Sequence, residues 1–344
     1  MGAIRFLLYP FAVFYDMITS FRNYLYDVNF LRSTFFDIPT IVVGNLSVGG
    51  TGKSPQIEYL VRLLQKHKTV AVLSRGYKRK SNGFILLDDT HLVSDVGDEP
   101  LQFFNKFSSI SVAVDANRVH GIQQLKKTIN PDIVLLDDAY QHRRLKAGLY
   151  ILLTRYDDLY SDDFILPVGS LRESKRGAKR AHVIVVTKCP ENLSETEQNQ
   201  IISKLRPLDN QAVFFSKISY TPKTLGFKNI DIDQLSDCHV LLITGIANTS
   251  SLIQFLEQKK CTIDHLKFPD HYNFSKNDVK RIKKEFDQIK SNKKLLLTTE
   301  KDYTRLSSQI TELSFLEITT TLINQQEDFD NMIKSFCEKS KDFK

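Results

Sequence analysis

Gly49, Gly50, Thr51, Gly52, Lys53 and Ser54 follow one another, and those types in that order suit the handling of phosphate. Glycines let a backbone curl until its N–H groups converge on an anion, a lysine ammonium can reach β- and γ-phosphates, and a serine hydroxyl can ligate Mg²⁺. Ser47 stands where the G-x-x-x-x-G-K-[ST] pattern has its first glycine, so the match rests on placement as much as on letters. A second candidate is the segment 131–138, whose apolar run 133–136 ends in Asp137 and Asp138. Carboxylates at a strand end beside a phosphate loop hold Mg²⁺ directly or through water, or simply cap the next turn. Gln141, His142, Arg143 and Arg144 come directly after and crowd the same edge.

Other residues carry two readings each. Asp98 and Glu99 stand where a helix would start, which suits capping and the helix dipole. Their chemical reading makes Asp98 the acceptor of a proton from an attacking hydroxyl, with Glu99 supporting the metal. Arg75 follows a strand in the segment 74–77, and Arg118 follows another, either to clamp a phosphate or to cover a helix face. Arg172 belongs to the stretch 167–180, where Lys175, Arg176, Lys179 and Arg180 are opposed only by Glu173. Such a loop binds an anionic substrate or lipid headgroup, or is a solvated face. His271 lies between Asp270 and Tyr272 in a loop-like segment, either structural or placed to hold a carboxylate base.

Those residues need a scaffold that brings strand ends together. Apolar strands are expected at 38–43, 69–74, 110–114, 133–136, 150–153 and 183–187, alternating with helices at 53–66, 100–107, 117–128 and 195–205. That alternation predicts an α/β fold, a P-loop NTPase-like parallel sheet flanked by helices, whose ligands bind at the carboxyl ends of the strands. The alternation resumes at 239–244, 250–258, 263–268, 276–289 and 294–299, a second and smaller α/β unit. The expected organisation is 1–36 as an aromatic N-terminal segment, 37–219 as the nucleotide-binding domain and 220–344 as the smaller domain.

The first 36 residues carry 11 of the 36 aromatic residues. The apolar run 6–15 is broken by Pro10 and stops at Asp16, short of the roughly 20 residues a spanning helix needs. Aromatic rings interspersed with Arg5 and Arg22 suit a bilayer interface, the alternative being a helix packed on the body. No small-residue cleavage site follows, which argues against a secretory signal. Across 344 residues, 42% hydrophobic and 25% charged content describes a globular chain, and the formal charge of +7 favours an acidic partner. Cys189, Cys238, Cys261 and Cys337 are too scattered for a zinc or disulfide framework.

Together these segments resemble the tetraacyldisaccharide 4'-kinase family, the lipid A 4'-kinases of Gram-negative bacteria. The resemblance rests on residues 44–45 and 49–55, 74–77, 97–100, 137–138 with 141–144, Gly169 with 171–173, 186–188, 268–272 and 299–302, in order over nearly the whole chain. The family usually has threonine at Ser54, a change that keeps the hydroxyl, and an aromatic after a glycine where Ala139 and Tyr140 stand. The resemblance implies transfer of the γ-phosphate of ATP to the 4'-hydroxyl of a tetraacylated glucosamine disaccharide 1-phosphate, giving lipid IVA. By position it implies Lys53 on the β- and γ-phosphates, Ser54, Glu99, Asp137 and Asp138 around Mg²⁺, and Asp98 as base held by His271. Arg75, Arg118, Gln141, His142 and Arg172 are then substrate contacts. It implies two α/β/α domains and a membrane-associated N-terminal helix, a peripheral enzyme on the cytoplasmic face of the inner membrane, expected to be a monomer.

Two rivals stay open on residues alone. A regulatory P-loop NTPase switch would need no acceptor, though 187–190 lacks the aspartate of the guanine-reading [NT]-K-x-D motif. A kinase of a soluble metabolite would not need the aromatic N-terminus. Nucleic acid is not expected as a partner, because the basic residues are not interleaved with aromatics.

Overall fold

The computed structural model describes residues 7–270 and 272–339. In chain order the first half runs α1 (Tyr9–Asp27), β1 (Thr40–Asn45), α2 (Lys53–Leu64), β2 (Val70–Ser74), β3 (Ile85–Leu86), α3 (Val93–Val96), α4 (Asp98–Lys106), β4 (Ser111–Val114), α5 (Arg118–Thr128), β5 (Ile133–Asp137) and β6 (Leu149–Arg155). Then follow β7 (Val183–Thr187), α6 (Glu195–Leu205), β8 (Ala212–Tyr220), β9 (Leu225–Gly226), β10 (His239–Thr244), α7 (Ser250–Gln258) and β11 (Thr262–Lys267). The chain ends with α8 (Lys276–Gln288), β12 (Lys294–Thr299), α9 (Glu300–Leu306), β13 (Ser314–Leu316), β14 (Ile318–Leu322) and α10 (Gln326–Lys339).

Strands β1, β2, β5 and β7 are buried along their whole length, as their near-continuous apolar sequences require of a sheet covered on both faces. They belong to a nine-stranded sheet in the order β14-β8-β7-β6-β1-β5-β2-β4-β3, parallel except where β14 and β3 pair antiparallel at the two edges. Alternate side chains feed two cores: Ile41 and Val43 pack with Ile57, Leu60 and Val61 of α2, while Val42 faces Ile122 and Leu125 of α5. Full burial of each such side chain contributes about 1.5–3 kcal/mol. Since all the central strands run the same way, Asn45, Ser74, Asp137 and Thr187 finish on one edge.

The smaller unit has a five-stranded sheet, β11-β10-β12-β13-β9, parallel but for β9. Its extent differs from the expected 220–344 at the C-terminal end. β14 leaves the smaller sheet and pairs with β8, Thr320 opposite Ile218, and α10 packs Phe329 and Ile333 into the core beneath the large sheet. The edge of β8 stands open, and the β-branched run 318–322 can close it. Phe329 then meets Phe214 edge-on, with ring centroids 5.1 Å apart.

α1 begins before the expected break. Pro10 sits in its first turn, where a missing N–H costs nothing, and the helix continues past Asp16 to Asp27. Among the described residues no helix is long and apolar enough to cross a membrane.

The two units meet along α4 and α9. Lys106 Nζ lies 2.6 Å from Glu58 of α2, 2.8 Å from Glu300 of α9 and 2.8 Å from Glu317 between β13 and β14. Gln102 Nε2 donates to Glu58 at 3.0 Å, and Arg62 pairs with Glu317. One cation thus joins the phosphate-loop helix to both the smaller unit and the strand leaving it.

Candidate active site

The loop between β1 and α2 is shaped by backbone that few residues tolerate. Gly52 caps α2 at φ +88°, and a Cβ on Gly44 would come within 2.7 Å of the Tyr140 Cβ. β7 ties the loop down from behind: Thr187 Oγ1 donates to the Thr51 carbonyl at 2.8 Å and Lys188 Nζ to that of Gly50 at 2.7 Å. Lys53, the first residue of α2, places Nζ 3.5 Å from Asn45 Oδ1 and 3.9 Å from Asp138. Ser54 Oγ donates to Glu99 at 3.4 Å.

The two carboxylates after β5 differ in state. Asp137 is fully buried and accepts from Ser74 Oγ at 3.0 Å, leaving Oδ1 with no hydrogen-bond partner. Burial first, then the charges of Glu99 and Asp138, push its carboxyl up to about 7. Asp138, at φ +46°, turns the other way. Burial opposes its charge, but Lys53 and Arg172 outweigh that and hold it below the usual carboxylate range. Arg172 donates to both Asp138 oxygens, at 2.9 and 3.2 Å, and to the Asn45 side chain and carbonyl.

Asp98 opens α4 at the same edge and is buried. Its Oδ1 accepts from the Glu99 N–H at 3.0 Å, and its Oδ2 meets Arg305 of α9, with Lys301 3.6 Å away. Lys301 also lies 3.7 Å from Glu99. His271, expected to hold Asp98, lies outside the described residues.

Lys53, Ser54, Asp98, Glu99, Asp137, Asp138 and Arg172 therefore converge, and Gly49 to Gly52 border them. Gln141 joins through its amide, which donates to the Asn45 carbonyl at 2.8 Å and to Glu173 at 3.1 Å. Arg118 lies behind the same edge. Its guanidinium is buried and donates to the Asp115 carbonyl at 2.7 Å and the Asp137 carbonyl at 3.1 Å, so it holds the strand ends. Burial lowers its pKa to about 10. His142 is neutral, drawn down to about 4 by burial and by the cations Arg118, Arg144, Arg22 and Arg75, while Arg75 itself is exposed at this rim. Lys188, Lys301 and Arg305 were not read from sequence as site residues. Arg305 follows the 299–302 segment by one helical turn, the one local signal that could have pointed to it.

α1 lies against the same edge. Tyr15 Oη donates to the Arg172 carbonyl at 3.0 Å, Asn23 to Glu173 at 2.8 Å, and Asp27 pairs with Arg143 at 2.6 Å. Its outward face carries Phe11, Phe14, Met17 and Phe21, each more than 60% exposed.

Residues 4–338 match the model of the family described as tetraacyldisaccharide-1-P 4'-kinase. A tetraacyldisaccharide 4'-kinase of Flavobacterium johnsoniae is 49% identical over 346 residues, 99% of each chain. One of Bacteroides thetaiotaomicron is 45% identical over 312 residues, covering 87% of this chain and 82% of its own length. Among solved structures, LpxK from Aquifex aeolicus in complex with ATP aligns at a TM-score of 0.77 and 29% identity, over 97% of this chain and 99% of that one.

Proposed function

The chain belongs to the tetraacyldisaccharide-1-P 4'-kinase family, and on that premise we propose that Lys53, Asp98 and the carboxylates beside them transfer the γ-phosphate of ATP to the 4'-hydroxyl of a tetraacylated glucosamine disaccharide 1-phosphate, giving lipid IVA. It is an ATP-dependent phosphotransferase with an alcohol acceptor. The observation that supports the division of labour is the meeting of Lys53 and Ser54, Asp137 and Asp138, and Asp98 and Glu99 from three separate elements at one sheet edge. Lys53 neutralises the β- and γ-phosphates. Asp98 takes the proton of the 4'-hydroxyl as its oxygen bonds to the γ-phosphorus, and the bond to the bridging oxygen breaks with its electron pair leaving on ADP.

Mg²⁺ fits the donors present. Asp137 Oδ1 is a buried acceptor without a donor, and the Ser54 hydroxyl stands beside Glu99. Among the described residues no three His, Cys, Asp or Glu side chains gather as a protein-only cage, and Mg²⁺ commonly takes one or two carboxylates, with substrate phosphates and water completing its shell. Asp137 and Ser54 would hold it, with Glu99 beside them; Asp138 is bound more closely to Arg172. When bound, Mg²⁺ neutralises charge shared by the β- and γ-phosphates. Because Asp137 titrates near 7, its ionised form dominates above that pH and its protonated form below. Apparent Mg²⁺ affinity, read by calorimetry on the nucleotide complex, is expected to fall up to about tenfold per unit as pH drops from 7 to 5. A flat profile would remove Asp137 as a ligand.

The test of the reaction is γ-labelled ATP with purified protein, Mg²⁺ and detergent-dispersed tetraacyldisaccharide 1-phosphate. Label is expected in the lipid product. Folded, ATP-binding protein that leaves all label in nucleotide and free phosphate would refute the assignment.

α1 gives the enzyme its place at the cytoplasmic face of the inner membrane as a peripheral protein. Its polar side is tied to the site rim and its aromatic side is open, which suits a lipid substrate that stays at the bilayer surface. Replacing Phe14 and Phe21 together by Ser is expected to reduce partition onto anionic vesicles by about 10²-fold or more, from the loss of roughly 1.5–3 kcal/mol per ring. Unchanged sedimentation with vesicles would exclude α1 as the anchor.

A further inference from the structure

We propose that Arg305, on the smaller unit, is the positioning residue for Asp98: its guanidinium fixes the plane of the carboxylate and transmits the seating of α9 to it. The inference rests on Asp98 being the base. Arg305 is almost wholly buried and uses its fork in two directions, Nη2 to Asp98 Oδ2 and Nη1 to Asp302 Oδ1 at 3.2 Å. Asp302 is itself immobilised. It is fully buried, and its Oδ2 accepts from the Gly245 N–H at the end of β10 and from Thr299 Oγ1, both at 2.8 Å.

The path from the small sheet to the base is therefore continuous, from β10 to Asp302, to Arg305, to Asp98. The other oxygen of Asp98 is held by the Glu99 N–H within α4. A donor on each oxygen, one from α4 and one from α9, sets the plane of the carboxylate. Holding a reacting group in this way contributes through orientation, and a misplacement of about 1 Å can cost about 10²-fold. A planar guanidinium can bridge two carboxylates at a fixed angle, whereas the single ammonium of Lys301, 3.6 Å from Asp98, supplies charge without orientation. Lys106 braces the start of the same helix by its contact with Glu300, so α9 is fixed at both ends of its run along α4.

The experiment compares Arg305→Met, Arg305→Lys and Arg305→Ala with Asp98→Asn and with Asp98→Asn/Arg305→Met, in the full chain with Mg²⁺, ATP and the lipid acceptor. Arg305→Met is expected to lose about 10²-fold in kcat, with KM for ATP and acceptor within about twofold of wild type. Arg305→Lys should remain close to Arg305→Met, since the charge without the fork does not orient. Added guanidinium at low millimolar concentration should restore part of the kcat of Arg305→Ala, a recovery that a misfolded variant would not show. On the Asp98→Asn background, removing Arg305 should cost nothing further. Wild-type kcat in Arg305→Met, no recovery by guanidinium, or a full additional loss in the double variant would each overturn the proposal. Wild-type kcat in Asp98→Asn would instead overturn the base assignment itself, which separates the two failures.

Discussion

Asp98→Asn is expected to bind MgATP as the unaltered enzyme does and to lose roughly 10²- to 10⁴-fold in kcat, the usual contribution of a positioned general base. Asparagine keeps the shape and one acceptor oxygen, which can serve Arg305 while the amide NH2 replaces the oxygen that accepts from the Glu99 N–H, so the contact between α4 and α9 is retained at the loss of a contact within α4. What it cannot do is take the proton that the 4'-hydroxyl must lose. The nucleotide contacts proposed above are the loop before α2 and Lys53, whose Nζ lies 3.9 Å from Asp138. The measurements are kcat with the lipid acceptor and, separately, the Kd of MgATP. A joint fall in both would point to a disturbed nucleotide site, and retention of kcat would require another base.

Lys106→Met is expected to destabilise the protein by about 3–5 kcal/mol, the range found when one partner of a buried ion pair is removed. Methionine fills much of the same space, so the loss comes from charge and not from a cavity. Glu58 is 1% exposed, and burial already holds its carboxyl above the usual range against the opposing pull of Lys106 and Arg62. Glu300 is raised for the same reason, by burial and then by Glu58. A carboxyl whose folded-state pKa is raised favours the folded state below its unfolded value and forfeits that as pH climbs through the folded one. Removing Lys106 raises both further, so the destabilisation should be greatest above about pH 7 and shrink towards pH 5. Urea denaturation at the two pH values measures it. An equal loss at both would assign the effect to packing.

The placement of the glycine loop between β1 and α2 was readable because it is local. Residues 49–54, the apolar strand before them and the helix after them lie within about thirty positions, and backbone geometry leaves few alternatives for three such glycines. The placement of Asp137 and Asp138 was readable for the same reason, at the end of a buried strand whose first four residues are all apolar. The bracing contacts of Arg118 were not legible because its acceptors are main-chain carbonyls, which leave no trace in the side-chain pattern. Arg305 was missed because its partner stands 207 positions away, and nothing in a helical arginine announces a distant carboxylate. β14 escaped notice because residues 318–322 are threonine-rich and only half-buried, with a pairing partner about a hundred positions upstream.

That last pairing bears on how the chain matures. Thr221 N–H meets the Glu317 carbonyl at 3.1 Å, so the smaller unit enters and leaves the larger one through neighbouring residues, as a module inserted into a continuous sheet. Synthesis delivers β14 and α10 last, and with them Phe329 and Ile333, two wholly buried side chains of the nucleotide unit. During translation the phosphate loop is made early but the hydrophobic floor beneath its sheet is not finished until the inserted module has emerged. The nucleotide half is thus begun before the inserted module and completed after it, and the module that carries Arg305 has the opportunity to fold before the half it serves.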